Sequence, residues 1–331
     1  MEYGLIGHPL GHSYSKLIHE SLMENYHYEL MDLEENQLAS FMKNKNFKAI
    51  NVTIPYKKAV IPYLDCMEES AKNIGAVNTI VCKNNKLYGY NTDYYGFFYT
   101  LKKHRIVVEN KKILILGDGG ASQAVQAVIR DLNAKSIFVA NRTPKPNTID
   151  FQTAKTEHMD AEIIINTTPC GMYPHVKESC IDLSAFHKAE AFLDCIYNPI
   201  ETTLCLQAKK LQVPIVVSGL EMLVAQAVKA LEHFKNVSFD SSSIDDIYRQ
   251  ILMKTTNIIV HGTNTDEYKK LASMLDKTFI KTEDTSYAFQ KNLVVQTHSI
   301  HRQEWIQNGW ILMDQDAENM KRAYLRCINQ F

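Results

Sequence analysis

A run of apolar residues that turns through glycines into a helix limits this chain more than any other feature. Ile113-Leu114-Ile115-Leu116 meets Gly117-Asp118-Gly119-Gly120, and a helical segment follows from Ala121 to about Leu132. Strand, glycine turn and helix in that order open a βαβ unit, and so a mainly parallel α/β sheet. The spacing Gly117-x-Gly119-x-x-Ser122 has a physical reason at each position. Gly117 permits the tight turn, Gly119 lets the backbone approach a pyrophosphate, and the small Ser122 allows close helix–strand packing. The helix start adds free N–H groups and the positive end of its dipole. A glycine turn that binds nothing is the alternative; it explains the glycines but not the order of elements.

Further short β-branched runs alternate with helix-length segments: 49–52, 137–140, 163–165, 191–193 and 214–217. A length of 331 residues suggests two or three domains. Hydrophobic residues at 45% and charged residues at 22% allow real cores and argue against disorder. Residues 104–111 are polar at both ends and read as a connector. Ser238–Asp246, rich in Ser and Asp, reads as a second break, and composition changes again near Thr255-Thr256-Asn257. The expected pieces are an N-terminal α/β unit over 1–103, a Rossmann-like unit over 104–218, a helical segment over about 219–254, and a small α/β module over 255–331.

Lys plus Arg total 36 and Asp plus Glu 37, for a net charge of −1. Such a balance lacks the footprint of a nucleic-acid binder. No run approaches the roughly 18 apolar residues of a membrane span. Met1-Glu2-Tyr3-Gly4 shows neither the basic nor the apolar region of a secretory leader, which predicts a cytoplasmic location. The seven cysteines are scattered without a CxxC pair, so neither a disulfide framework nor a metal site is expected.

An NAD site would carry Asp or Glu at the end of the strand after the glycine turn. Here the strand 137–140 ends in Asn141-Arg142-Thr143. No carboxylate repels a 2′-phosphate, and Arg142 offers charge-assisted bonds to one, so NADP is expected over NAD. Other clusters lie in the N-terminal unit. Ser13 and Ser15 are two hydroxyls on a loop before a helix, suited to a carboxylate and also to capping that helix. Lys57 follows a strand end and a proline, where burial would fit a lysine for acid/base work. Asp93, in Asn91-Thr92-Asp93, could pair with it, or either acidic or amide residue could cap a helix.

Taken in order, these segments resemble the shikimate dehydrogenases, NADP-dependent enzymes of the aromatic amino acid pathway. The series runs from residue 3 to about 235. It comprises His12-Ser13-Tyr14-Ser15, Asn51 to Lys57, Gly75-Ala76-Val77-Asn78-Thr79, Asn91-Thr92-Asp93, Gly117 to Ala121, Asn141-Arg142-Thr143, Asn166 to Met172, Asp194 to Pro199, and Gly219 to Leu223 with Gln226. The resemblance implies two α/β domains around a cleft, with the C-terminal helices returning to the substrate domain. It implies that Ser13 and Ser15 hold the shikimate carboxylate, and that Thr53, Asn78, Asp93 and Gln226 bond the ring hydroxyls, with Tyr197 also in reach. Lys57 and Asp93 become the catalytic pair. Gly117, Gly119, Gly120 and Ala121 would hold the pyrophosphate of NADP, and Asn141, Arg142 and Thr143 its 2′-phosphate end. Thr167, Met172 and Gly219 would flank the cofactor. Lys16, Glu20 and Pro169-Cys170 depart from the family pattern without removing a catalytic group.

The implied reaction is the reversible reduction of 3-dehydroshikimate to shikimate, on the way to chorismate. A small molecule is the expected partner, with the chain a monomer or homodimer. A quinate/shikimate dehydrogenase that uses NAD is the near alternative; a non-catalytic shikimate- and NADP-binding regulatory protein is the distant one. Beyond residue 254 the order of expected strands, 257–262, 278–284, 292–296 and 309–313, with a helix over 266–275, weakly resembles a shikimate kinase. Its phosphate loop would be broken: the template from Gly262 holds Glu267, Tyr268 and Lys269, and Gln296-Thr297-His298-Ser299 has no glycine. A shortened, inactive module with a packing or assembly role is expected there, or an unrelated α/β appendage.

Overall fold

A computed structural model describes residues 1–10 and 13–255, residue 273, and three strands of the tail, 258–261, 279–281 and 293–296. The chain divides into two units, Met1–Asp150 with Glu221–Tyr248, and Phe151–Leu220 with Arg249–Phe331.

In the first unit, β1 (Tyr3–Gly7), β2 (Glu29–Asp32) and β3 (Ala49–Val52) run parallel, joined through α1 (Ser15–Leu22) and α2 (Glu35–Asn44). Then come β4 (Cys66–Met67), α3 (Glu69–Ile74), β5 (Thr79–Lys83), β6 (Lys86–Tyr90) and α4 (Thr92–Lys103). The strands form one sheet in the order β2-β1-β3-β5-β6-β4. β5 pairs antiparallel with both β3 and β6. These pairs are the antiparallel part of a sheet expected to be mainly parallel, and the hairpin of β5 and β6 has a local cause. Asn84 and Asn85 both take positive φ, 51° and 59°, and Lys83 pairs with Lys86 across them. Two left-handed residues make the tight turn whose twist matches a hairpin.

The glycine turn follows β7 (Lys112–Leu116), whose four apolar residues are all fully buried. It opens α5 (Gly120–Asp131), and β8 (Ser136–Ala140) returns parallel to β7. This is the Rossmann-like opening expected from the sequence. The second unit holds α6 (Phe151–Glu157), β9 (Ile163–Asn166), β10 (Ala191–Asp194), α7 (Thr203–Lys210) and β11 (Ile215–Val217). β10 lies between β9 and β11, parallel to both.

Two helices follow, α8 (Leu220–Lys235) and α9 (Ser241–Thr255). From Glu221 on, α8 belongs with the first unit. Leu231 and Phe234 complete the aromatic core of Tyr3, Tyr26 and Tyr28 beneath the first sheet. The expected break at 238–246 is shorter than the composition suggested. Ser241 to Asp246 already form the first turns of α9, because Asp240 accepts the Ser242 N–H at 2.8 Å and starts the helix. In the tail, β12 (Ile258–His261), β13 (Phe279–Lys281) and β14 (Leu293–Gln296) form a parallel sheet in the order β13-β12-β14. The expected strand at 309–313, the phosphate-loop template from Gly262 to Lys269 and the stretch 297–299 lie outside the described residues, as does nearly all of the expected helix 266–275.

Candidate active site

The site is built from the start of α4. Asn91 caps the helix, its Oδ1 accepting the N–H of Asp93 at 3.1 Å and of Tyr94 at 3.4 Å. The cap sets Asp93 in the first turn, where the helix dipole favours a carboxylate. Lys57 Nζ reaches Asp93 Oδ2 at 2.6 Å, with the two side chains only 15% and 11% exposed. The cap and the ion pair therefore coexist, on neighbouring residues.

Asn78 Nδ2 donates to Asp93 Oδ1 at 2.9 Å and to Thr92 Oγ1 at 3.1 Å. The Thr92 hydroxyl donates in turn to Gln226 Oε1 at 3.3 Å. Lys57, Asp93, Asn78 and Gln226, far apart in sequence, thus meet in one network. Thr92, which links two of them, escaped the sequence reading; its only signal was a place between the cap and the carboxylate. The network needs α8 to lie very close to α4. A Cβ on Gly96 would come within 2.6 Å of the Met222 carbonyl and 3.0 Å of Gln226 Cβ. Any larger residue would push the two helices apart.

Lys57 also borders the glycine turn: a Cβ on Gly120 would lie 3.2 Å from Lys57 Cδ. Gly117 takes φ 98°, a conformation that favours glycine. Among the described residues nothing lies within 4 Å of the Cβ position of Gly119, so the backbone there is open to a ligand. α5 begins without a side-chain cap. A helix start of this kind, with the N–H groups of Gly120, Ala121 and Ser122 beyond the reach of intrahelical acceptors, suits an anion. One residue of the turn was not weighed from sequence. Asp118 would repel a pyrophosphate, but its carboxylate pairs with Lys145 at 3.0 Å and accepts from Gln123 at 3.2 Å. At the end of β8, Asn141 Oδ1 accepts the Arg142 N–H at 2.8 Å, while Arg142 and Thr143 are exposed.

Ser13 and Ser15 stand side by side at the start of α1. The Ser13 hydroxyl donates to Ser15 Oγ at 3.1 Å, and the Ser15 N–H donates to Ser13 Oγ at 3.2 Å. Their neighbour His12 lies outside the described residues. Thr53 is half-buried at the end of β3, its N–H held by the Ile6 carbonyl at 2.9 Å.

Four expected residues belong to the second unit. Thr167 follows β9, and Met172 is 42% exposed in the loop beyond it. Tyr197 is half-buried on a loop anchored by Asp194. Asp194 accepts from Thr202 Oγ1 at 2.6 Å, the Ile196 N–H at 2.9 Å and Asn166 Nδ2 at 3.0 Å. Complete burial still pushes its carboxyl up to about 6, against those donors. Gly219 is buried where a Cβ would clash with the Cys195 backbone at 2.4 Å.

Residues 5–80 match the family described as the shikimate dehydrogenase substrate binding domain. A Clostridium beijerinckii protein, "Shikimate dehydrogenase (NADP(+))", is 39% identical over 260 residues, covering 74% of this chain and 96% of that protein. A chorismate mutase/shikimate 5-dehydrogenase fusion protein from Clostridium acetobutylicum is similar in structure, with a TM-score of 0.70 and 36% identity over 75% of this chain and 96% of the other. So is the Thermus thermophilus shikimate 5-dehydrogenase solved in complex with NADP(H) and shikimate, with a TM-score of 0.67 and 29% identity over 76% and 99%.

Proposed function

Because the chain belongs to the shikimate dehydrogenase family, whose members here are NADP-dependent oxidoreductases, we propose that Lys57 and Asp93 carry out its proton chemistry in the reduction of 3-dehydroshikimate. The observation that carries this reading is the 2.6 Å contact between Lys57 and Asp93 beside Gly120. The substrate half is residues 1–103 with helices from about 219–254, and the cofactor half is 104–218.

Bound NADPH supplies the hydride. Gly117, Gly119, Gly120 and Ala121 would hold its pyrophosphate, and Asn141, Arg142 and Thr143 its 2′-phosphate end. Thr167, Met172 and Gly219 would flank it. Lys57 delivers a proton to the C3 oxygen as the carbonyl carbon takes the hydride, and recovers it in the reverse direction. Asp93 holds the Lys57 ammonium by charge and bonds a ring hydroxyl. Asn78, Thr53, Gln226 and Tyr197 orient the ring, and Ser13 with Ser15 bind the carboxylate. The reading carries with it a cytoplasmic location and a monomer or homodimer.

Loss of nicotinamide absorbance on mixing the protein, NADPH and 3-dehydroshikimate tests the function. Folded protein that turns over neither 3-dehydroshikimate nor, with the oxidised cofactors, shikimate or quinate would refute it. Arg142→Ala is expected to raise KM for NADPH by about tenfold to a hundredfold, the worth of a charge-assisted hydrogen bond, and to leave KM for NADH nearly unchanged. Equal changes for both cofactors would remove Arg142 from the 2′-phosphate site. Ser13→Ala is expected to raise KM for 3-dehydroshikimate by roughly tenfold with a smaller effect on kcat, because it removes a binding contact. A fall confined to kcat would contradict that role.

A further inference from the structure

Behind Asn78 lies a chain of buried hydrogen bonds that the chemistry above does not use. Tyr28 is fully buried and donates its hydroxyl to Asn51 Oδ1 at 2.7 Å. With its oxygen so engaged, the Asn51 amide turns its nitrogen to the Asn78 carbonyl at 3.2 Å and to Thr79 Oγ1 at 3.1 Å. A hydroxyl has one proton. Having accepted from Asn51, Thr79 directs its own proton to Asn78 Oδ1 at 3.0 Å. The Thr92 N–H reaches the same oxygen at 2.7 Å. With both donors on its oxygen, Asn78 presents its nitrogen to Asp93 Oδ1. Through the shorter Thr79 contact the steps run from phenol to carboxylate; Thr92 Oγ1 also lies 3.2 Å from Thr79 Oγ1.

Two further observations suit Tyr28 to the head of this chain. Burial holds its phenol well above the usual tyrosine range, so it stays a donor at any working pH. Its ring is clamped by His19, stacked at 4.2 Å and 10°. His19 lies one turn after Ser15 on α1. The helix that bears the carboxylate-binding serine and the chain that ends at Asp93 therefore share one aromatic contact.

We propose that Tyr28, Asn51 and Thr79 are positioning residues, whose hydrogen bonds hold the Asn78 amide in the rotation that orients Asp93 and, through it, Lys57. The inference rests on Lys57 and Asp93 being the reacting pair.

Tyr28→Phe and Thr79→Val each delete one hydroxyl with little change of shape. Each is expected to lower kcat about tenfold, within the roughly hundredfold that a shift of about 1 Å at the chemistry can cost. KM for NADPH should stay within about twofold, because the chain acts on the reacting pair and not on cofactor binding. Tyr26→Phe is the control. It deletes a buried hydroxyl of the same aromatic cluster that has no partner among the described residues, and should keep the parent kcat. In an Asp93→Asn background, Tyr28→Phe should cause no further fall, since the chain acts through Asp93; a merely structural role would persist there. The proposal is overturned if Tyr28→Phe behaves as Tyr26→Phe does, or if its effect survives in Asp93→Asn. Should Tyr28→Phe fail to fold, Thr79→Val in both backgrounds decides by the same criteria. Full turnover in Asp93→Asn would overturn the pair and the chain together, whereas lost turnover there with none lost in Tyr28→Phe would overturn the chain alone.

Discussion

Lys57→Ala is expected to lower kcat for 3-dehydroshikimate reduction by about 10² to 10⁴, the usual worth of a positioned acid or base. KM for either substrate should change much less. Among the described residues Lys57 is the one cation seen against Asp93, at 2.6 Å and largely out of water, so no neighbouring group among those contacts can replace its proton. The mutation also leaves Asp93 without its counter-charge. Its hydrogen bonds from Asn78 and the Asn91-capped helix start remain, and they should keep the fold intact. Steady-state rates with NADPH, beside an unchanged melting curve, check this. Near-normal turnover in a folded variant would take the proton transfer away from Lys57.

The second large effect is on stability in acid. His19 is wholly buried, and neither ring nitrogen has a hydrogen-bond partner among the described residues. Burial pushes the imidazole down to about 3, with the nearby Asn51 side chain pulling weakly the other way, against an ordinary value of 6.5. Between those values the unfolded chain binds a proton that the folded chain refuses. The stability tied to His19 is therefore intact above pH 6.5 and lost as pH falls toward 3. At about pH 4 the loss is on the order of 3 kcal/mol, a large share of a typical domain's stability. Asp194 acts in the opposite sense. Its raised carboxyl favours the folded state below about 6, so acid alone does not isolate His19. His19→Leu does. Urea unfolding at neutral pH and near pH 4 should show the parent losing far more stability than the variant. Parallel losses in the two proteins would show that His19 does not set the acid limit.

Much of this was legible in the sequence because it rests on local chemistry. A β-branched run before a glycine turn can do little else than form β7 and open α5, and the short apolar runs at 49–52 and 191–193 likewise become strands. Lys57 and Asp93 could be named as partners from residue type, but only the ordered resemblance singled them out; their spacing alone is silent. What escaped depends on partners distant in sequence. Asp118 reads as an obstacle to phosphate until folding brings Lys145 to it from 27 residues away. Tyr28, Asn51 and Asn78 are three ordinary polar or aromatic residues until folding buries them on one run of hydrogen bonds. The Ser-rich stretch before residue 246 was misread for a physical reason. Ser and Asp break helices in their interiors and start them at their ends, and here they start one.

The bond from Thr92 to Gln226 spans 134 residues, which gives the site a birth order. On a ribosome adding about 5 to 20 residues each second, Asp93 is made roughly 7 to 27 seconds before Gln226, and Lys57 earlier still. Through that interval the nascent sheet has Tyr3, Tyr26 and Ala49 but lacks Leu231 and Phe234, which complete that core. Its apolar face is open to chaperones and to other nascent chains. A messenger cut short before the codon for Glu221 would therefore yield a polypeptide with both Lys57 and Asp93 and an unfinished floor beneath them.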